Sequence, residues 1–159
     1  MREIRQGRFA ELDGAAVFAL ARLRQSVFVV EQECPYPDLD DLDTDPETTH
    51  FWIDGEDGTA AACLRLLRDH GGHGPAAPSS NGLKRWRIGR VCCVPAERGS
   101  GLSGRLMAAA LDSVGPAAEV VLDSQVYAAG FYRKHGFAED GEEYIEDGIP
   151  HVPMRRAGT

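Results

Sequence analysis

Residues 98–104 read Arg98-Gly99-Ser100-Gly101-Leu102-Ser103-Gly104. Three glycines in six residues, preceded by an arginine, suit a turn that leads from a strand into a helix. At such a junction the first helical N–H groups have no partner within the helix. They also sit at the positive end of its dipole, so a phosphate is the natural ligand. A Walker A loop needs Lys and then Ser or Thr after its last glycine, and here Arg105 and Leu106 follow Gly104. With no hydroxyl for magnesium, that reading is poor. Gly99, Gly101 and Gly104 also spell GxGxxG, with Asp123 further on at a strand end. A dinucleotide loop takes its strand directly into the first glycine, whereas Pro95-Ala96-Glu97-Arg98 intervenes here. Residues 124–159 are too few for the further βα units such a fold requires.

The third reading is pyrophosphate binding in acetyl-coenzyme A. The stretch from Val94-Pro95 through Arg98-Gly99-x-Gly101-x-Ser103 to Leu106-Met107 resembles motif A of the GCN5-related N-acetyltransferases (GNAT), Q/R-x-x-G-x-G/A. Arg98 and Gly101 match that motif, and Ser103 stands where Gly or Ala is usual. Phe131-Tyr132-Arg133-Lys134-His135-Gly136-Phe137 resembles the family's FYxxxGF helix. Residues 22–43 look like the ElaA-type subfamily, with Val27-Phe28-Val29-Val30-Glu31-Gln32 and Cys34-Pro35-Tyr36. So do Asp147-Gly148-Ile149-Pro150-His151, His50, and Ile88-Gly89-Arg90-Val91.

The resemblance implies transfer of an acetyl group from acetyl-CoA to a primary amine by direct attack, with no acyl-enzyme and no metal. It implies that Arg98, Gly99, Ser100, Gly101, Leu102, Ser103 and Gly104 hold the pyrophosphate. Backbone groups of Cys92, Cys93 and Val94 would pair with the pantetheine, with Phe131 and Tyr132 alongside. The Val94 N–H is the expected oxyanion donor, and Tyr132 the acid that protonates the leaving thiolate. A phenol of pKa about 10 can serve a thiolate whose acid lies near 8.5 only if the proton is pulled along by the completed transfer or the phenol is tuned. The base is open among Glu31, Glu33, His50, Asp123 and His151. The acceptor side is assigned to Glu31, Gln32, His50, Arg90, Gln125 and His151. Many family members carry a glutamate on the strand before the glycine turn, and Arg90 occupies that region here.

Two other readings stay open. One is a regulatory module that binds acyl-CoA without catalysis, favoured by the missing strand glutamate and by Ser103. The other is an acyltransferase similar to acyl-homoserine lactone synthases, on Arg24-x-x-Val27-Phe28 and Asp38-x-Asp40-x-x-Asp43.

Bulk properties narrow the classes further. The 159 residues carry a net charge of −8, with 43% hydrophobic and 26% charged residues. That suits one soluble domain over residues 1–159, and it argues against general binding to nucleic acid or anionic membrane. No run approaches the roughly 18 apolar residues of a membrane span, and no signal peptide is visible, so a cytoplasmic protein is expected. Cys34, Cys63, Cys92 and Cys93 form no CxxC pair, which suits reduced thiols. The acidic run Asp38, Asp40, Asp41, Asp43, Asp45, Glu47 is either a solvated loop or a steering patch for a cationic acceptor. It is no EF-hand, since counting from Asp41 the sixth position is Pro46 and the twelfth Trp52. His70 and His73 lie in a glycine-rich connection and are not read as metal ligands. The partner is a small-molecule or peptide amine, and a homodimer is left open.

The elements that must carry these residues follow from periodicity. Strands are expected at residues 2–6, 49–53, 59–68, 85–94 and 119–123. A closing hairpin is expected over 142–145 and 151–155. Asp13 caps a helix to about Val30, with Ala16, Leu20, Leu23, Val27 and Val30 on one face and residues 27–30 buried all round. A second helix follows the glycine turn and stops at Gly115-Pro116. A third spans residues 127–135, with Gly136 past its end. Along 85–94, Trp86 and Ile88 alternate but Val91 and Val94 break the parity, which predicts a β-bulge near residues 89–92. The fold class is α/β: a GNAT fold with a mixed, mostly antiparallel sheet of about six to seven strands flanked by helices.

Overall fold

Alternating apolar residues at Phe51, Ile53, Leu64 and Leu66 supply one buried face of a sheet, and Trp52 and Cys63 supply the other. In the computed structural model, which describes residues 1–71 and 84–159, these positions lie at the centre of one eight-stranded sheet. Its strands are β1 (Ile4–Gly7), β2 (Thr49–Asp54), β3 (Ala60–Asp69), β4 (Arg85–Cys93), β5 (Glu119–Gln125), β6 (Ala138–Glu139), β7 (Tyr144–Glu146) and β8 (Ile149–Arg156). The order is β1-β2-β3-β4-β5-β8-β6, with β7 on β8. Every pairing is antiparallel except β4 with β5. The connection expected over residues 69–82, His73 included, falls largely outside the described residues.

Helix α1 (Gly14–Arg24) begins where Asp13 accepts from the Ala16 N–H at 2.8 Å. Ala16, Leu20 and Leu23 pack on the Trp52, Cys63 and Cys92 face. Helices α2 (Leu102–Val114) and α3 (Ala129–Arg133) cover the opposite face, where Leu106, Met107, Ala110 and Tyr132 meet Phe51, Leu64, Val120 and Met154. The third helix is shorter than expected, because residues 126–128 form a 3₁₀ turn. Gly136 closes it at φ +89°, a left-handed conformation open to glycine. The β7–β8 hairpin turns on Asp147 and Gly148, both at positive φ as a two-residue type I′ turn requires.

The expectation for residues 27–30 is corrected. Beyond Arg24 the helix widens into a π-helix over Gln25–Glu31, with Gln32 N–H on the Val27 carbonyl and Cys34 N–H on that of Val29. The wider turn carries Val30 off the face that Leu23 and Val27 share. It is 64% exposed, and Phe28 and Val29 are half-buried.

Candidate functional site

The site is a gap in the sheet. β4 and β5 pair only at Arg85–Glu119, Trp86–Val120 and Arg87–Val121. Past Arg87 they diverge into a wedge. The cause on β4 is the expected bulge: Arg65 faces Gly89 and Cys63 faces Cys92, so Leu64 stands opposite both Arg90 and Val91. Arg90 takes φ +54° there. The wedge opens into a cleft of about 970 Å³, within the usual size for a ligand site.

The glycine turn forms one end of the cleft. Gly101 sits at φ +89° as the residue before α2, and no side chain caps that helix. The N–H groups of its first turn therefore lack helical partners and meet the end of the cleft lined by Leu102, Ser103 and Gly104. Arg98 donates through Nε to the Cys93 carbonyl at 3.0 Å, and through both Nη atoms to Glu31 at 2.6 and 2.7 Å. The Glu31 carboxyl is held below its ordinary range by that arginine. Beside it Gln32 and Gln125 exchange side-chain amides at 3.2 Å. The end of the π-helix thus reaches both walls of the wedge.

The bulge decides which amides face the cleft. Val94 N–H donates to the Ala61 carbonyl at 2.8 Å, so it is committed to β3 and not available as the expected oxyanion donor. Alternation along β4 then turns the amides of Cys93 and Val91 to the open side. The Cys93 carbonyl, facing Arg98, points the same way.

Tyr132 borders the cleft from α3, with its ring edge-on to Phe131 at 5.0 Å and to Phe137 at 6.3 Å. Burial pushes its phenol well above the ordinary value. Cys92 bonds the Cys63 thiol, Sγ to Sγ 3.6 Å, and that contact together with burial pushes its thiol up. Cys93 is raised by burial. Both cysteines are thus poor nucleophiles.

At the far end, His151 Nδ1 lies 2.7 Å from the Ile149 carbonyl. A carbonyl only accepts, so Nδ1 is the donor, a tautomer that leaves the lone pair of the imidazole on Nε2. Its ring stacks on Tyr144 at 5.7 Å. Burial and the nearby Asp123 carboxylate push the Tyr144 phenol up. Asp123 itself is paired with Arg87.

Cys92, Cys93, Arg98, Gly99, Gly101, Leu102, Ser103, Gly104, Phe131 and Tyr132 all border the cleft, as do Glu31, Gln32, Arg90, Asp123, Gln125 and His151. Val94, Ser100, Glu33 and His50 do not. His50 is buried behind the sheet with Nε2 on the Asp43 carbonyl at 2.9 Å, and burial lowers its pKa. Tyr36, Tyr127 and Tyr144 also border the cleft. Sequence reasoning gave none of them a site role: Tyr36 entered only as part of the Cys34-Pro35-Tyr36 resemblance, and Tyr127 and Tyr144 lie in a 3₁₀ turn and a short strand outside any motif.

The acidic run is also corrected. Arg24 holds Asp38 at 3.0 Å and Asp43 at 2.6 Å, Arg65 holds Asp40 and Asp43 at 2.6 and 2.8 Å, and Arg90 holds Asp38 at 2.9 Å. Asp38 is buried and Asp43 nearly so. These three carboxylates are committed to arginines of the fold; in the rest of the run Asp41 is exposed, Asp45 is half-buried, and Glu47 is exposed beside Arg68 and His70. Among the described residues no cluster of three or more His, Cys, Asp or Glu could hold a metal, and no helix is long and apolar enough to cross a membrane.

Known proteins share this fold. A UPF0039 protein of Mycobacterium tuberculosis is 46% identical over 149 residues, spanning 94% of this chain and 89% of that protein. The crystal structure of Escherichia coli ElaA superposes with TM-score 0.82 at 34% identity, covering 98% of this chain and 99% of that one. An acyl-CoA N-acyltransferase from Pseudomonas aeruginosa gives TM-score 0.82 at 36% identity with the same coverage. A CoA-dependent acyl-homoserine lactone synthase shares the fold, TM-score 0.75, at 16% identity. The family profile described as an acetyltransferase (GNAT) domain matches residues 41–157. With ElaA among its homologues, the chain belongs to the GNAT acetyltransferase family.

Proposed function

We propose that the protein transfers an acetyl group from acetyl-CoA to a primary amine by direct attack in a ternary complex. The observation that carries this reading is the wedge between β4 and β5, which ends on the uncapped first turn of α2. A linear ligand with an anionic middle fits that shape. The α2 N–H groups and Arg98 receive the pyrophosphate. Pantetheine takes the place of the missing β5 rung and pairs with the Cys93 amide. The Val91 N–H receives the thioester oxygen as it gains charge, where a fixed donor in a dry site is worth most.

The neutral acceptor amine attacks the thioester carbon through its lone pair, and His151 Nε2 takes the proton that the nitrogen sheds as it becomes an amide. The C–N bond forms, the C–S bond breaks, and Tyr132 donates its proton to the departing sulfur. The raised Tyr132 phenol keeps that proton at all working pH values, so transfer accompanies thiolate departure. The protonated cysteines of β4 support direct attack over an acyl-enzyme.

The test is thiol release from acetyl-CoA over a panel of polyamines, amino acids, aminoglycosides and peptide N-termini. Release that depends on the amine is expected. Tight CoA binding without release on any amine would leave a binding module and overturn the enzymatic reading.

A further inference from the structure

Arg90 occupies a backbone position that side chains avoid. In a bulge of this kind the left-handed residue is usually glycine, and φ +54° is costly for a residue with a Cβ. Something must hold the arginine there. Its Nε lies 2.9 Å from Asp38 Oδ1, its Nη2 donates to the Asp38 carbonyl at 2.9 Å, and its guanidinium lies 5.5 Å from the Tyr36 ring centroid. Asp38 is itself immobilised, by Arg24 Nε on Oδ2 at 3.0 Å, by Arg24 Nη2 on its carbonyl at 2.9 Å, and by the Tyr36 hydroxyl on Oδ1 at 2.6 Å. With Asp38 buried, the anchor is rigid and the arginine bridges from it to the apex of the bulge.

We propose that Arg90 is a positioning residue, whose grip on Asp38 and Tyr36 holds the left-handed bulge and so turns the Val91 and Cys93 amides into the wedge. The proposal rests on the acyl-CoA reading above and names what aims the donors it uses. It also gives Arg90 a role other than the missing strand base. Its side chain is held by the 36–40 loop, and it acts through its own backbone.

The discriminating pair of variants is Arg90→Gly and Arg90→Lys. Glycine adopts positive φ without penalty but has no cation. Lysine keeps a cation for Asp38 and keeps the Cβ, but loses the two-pronged grip. A merely structural ion pair would make lysine the better replacement, whereas backbone positioning makes glycine the better one. Acetyl-CoA affinity is measured by calorimetry, and the Val91 and Cys93 amide resonances are followed in ¹⁵N-labelled protein during the same titration. The expected result is binding within about threefold of wild type for Arg90→Gly, with both amides still shifting, and a loss of about tenfold for Arg90→Lys, with those shifts diminished. Lysine binding as well as or better than glycine, or both variants matching wild type, overturns the proposal and leaves the acyl-CoA reading standing. Wild-type protein that binds no acetyl-CoA overturns that reading itself.

Discussion

Arg98, the arginine of the glycine turn, donates to both carboxylate oxygens of Glu31 across the mouth of the cleft. An internal anion therefore sits on the cation assigned to pyrophosphate. Both side chains are about two-fifths exposed, so the pair is worth little to folding. Its charge nonetheless opposes an incoming anion. Glu31→Gln should tighten CoA binding by about two- to fivefold, with a larger gain at low salt. Arg98 holds the Glu31 carboxyl below the ordinary glutamate range, so the competition persists through neutral pH and fades only in acid. Calorimetric titrations at two ionic strengths check this, and weaker binding by the variant would mean that Glu31 orients Arg98 instead.

Tyr132→Phe keeps the edge-on packing with Phe131 and Phe137 and removes only the hydroxyl. The expected result is a fall in kcat of about 100-fold with acetyl-CoA affinity unchanged. Because burial raises the phenol, the wild-type rate should show no alkaline loss from this residue below pH about 10. A variant with full kcat would remove Tyr132 from the acid role.

His151→Asn offers a side-chain amide that can still donate to the Ile149 carbonyl, but it has no basic nitrogen. With an acceptor found in the amine panel, kcat should drop about 100-fold while the melting temperature and acetyl-CoA affinity stay near wild type. Retained turnover would send the search for the base to Asp123 or to a water.

Burial works to raise the Asp43 carboxyl, but Arg24 and Arg65 overcome it and leave it at about 2. A folded-state pKa below the unfolded one gives stability that is present above the unfolded value near 3.8 and lost as pH falls toward 2. The contribution is about 2 kcal/mol. Asp43→Asn should therefore lower stability at neutral pH and flatten its decline between pH 5 and 2. Urea unfolding across that range gives the measurement. An unchanged slope would place the acid sensitivity elsewhere.

Local signals were legible in the chain. Asp13, Gly101, Gly115 and Gly136 mark helix ends through backbone needs that few residues meet. The parity slip at Val91 located the bulge, since one extra residue inverts every later side chain. Long-range pairings were not legible. Nothing in the spacing of Asp38, Asp40 and Asp43 says that Arg24, Arg65 and Arg90 will converge on them from a helix and two strands. Nor does a sequence show that Ala61 claims the Val94 amide, because that depends on register. The π-helix was missed for a similar reason, since Val27 to Val30 have the same apolar types in either helix.

The three-rung seam between β4 and β5 bears on how the chain assembles. β1 to β4 come from residues 4–93, and β5 to β8 from residues 119–156. Each group completes its antiparallel ladders from its own stretch of chain, and the segment that connects the two runs through α2. Loop-closure entropy favours forming each group before the two dock. The cleft is thus expected to close last during folding and to part first on warming. In native-state amide exchange, the Arg87–Val121 rung should open before the Phe51–Leu64 rung does.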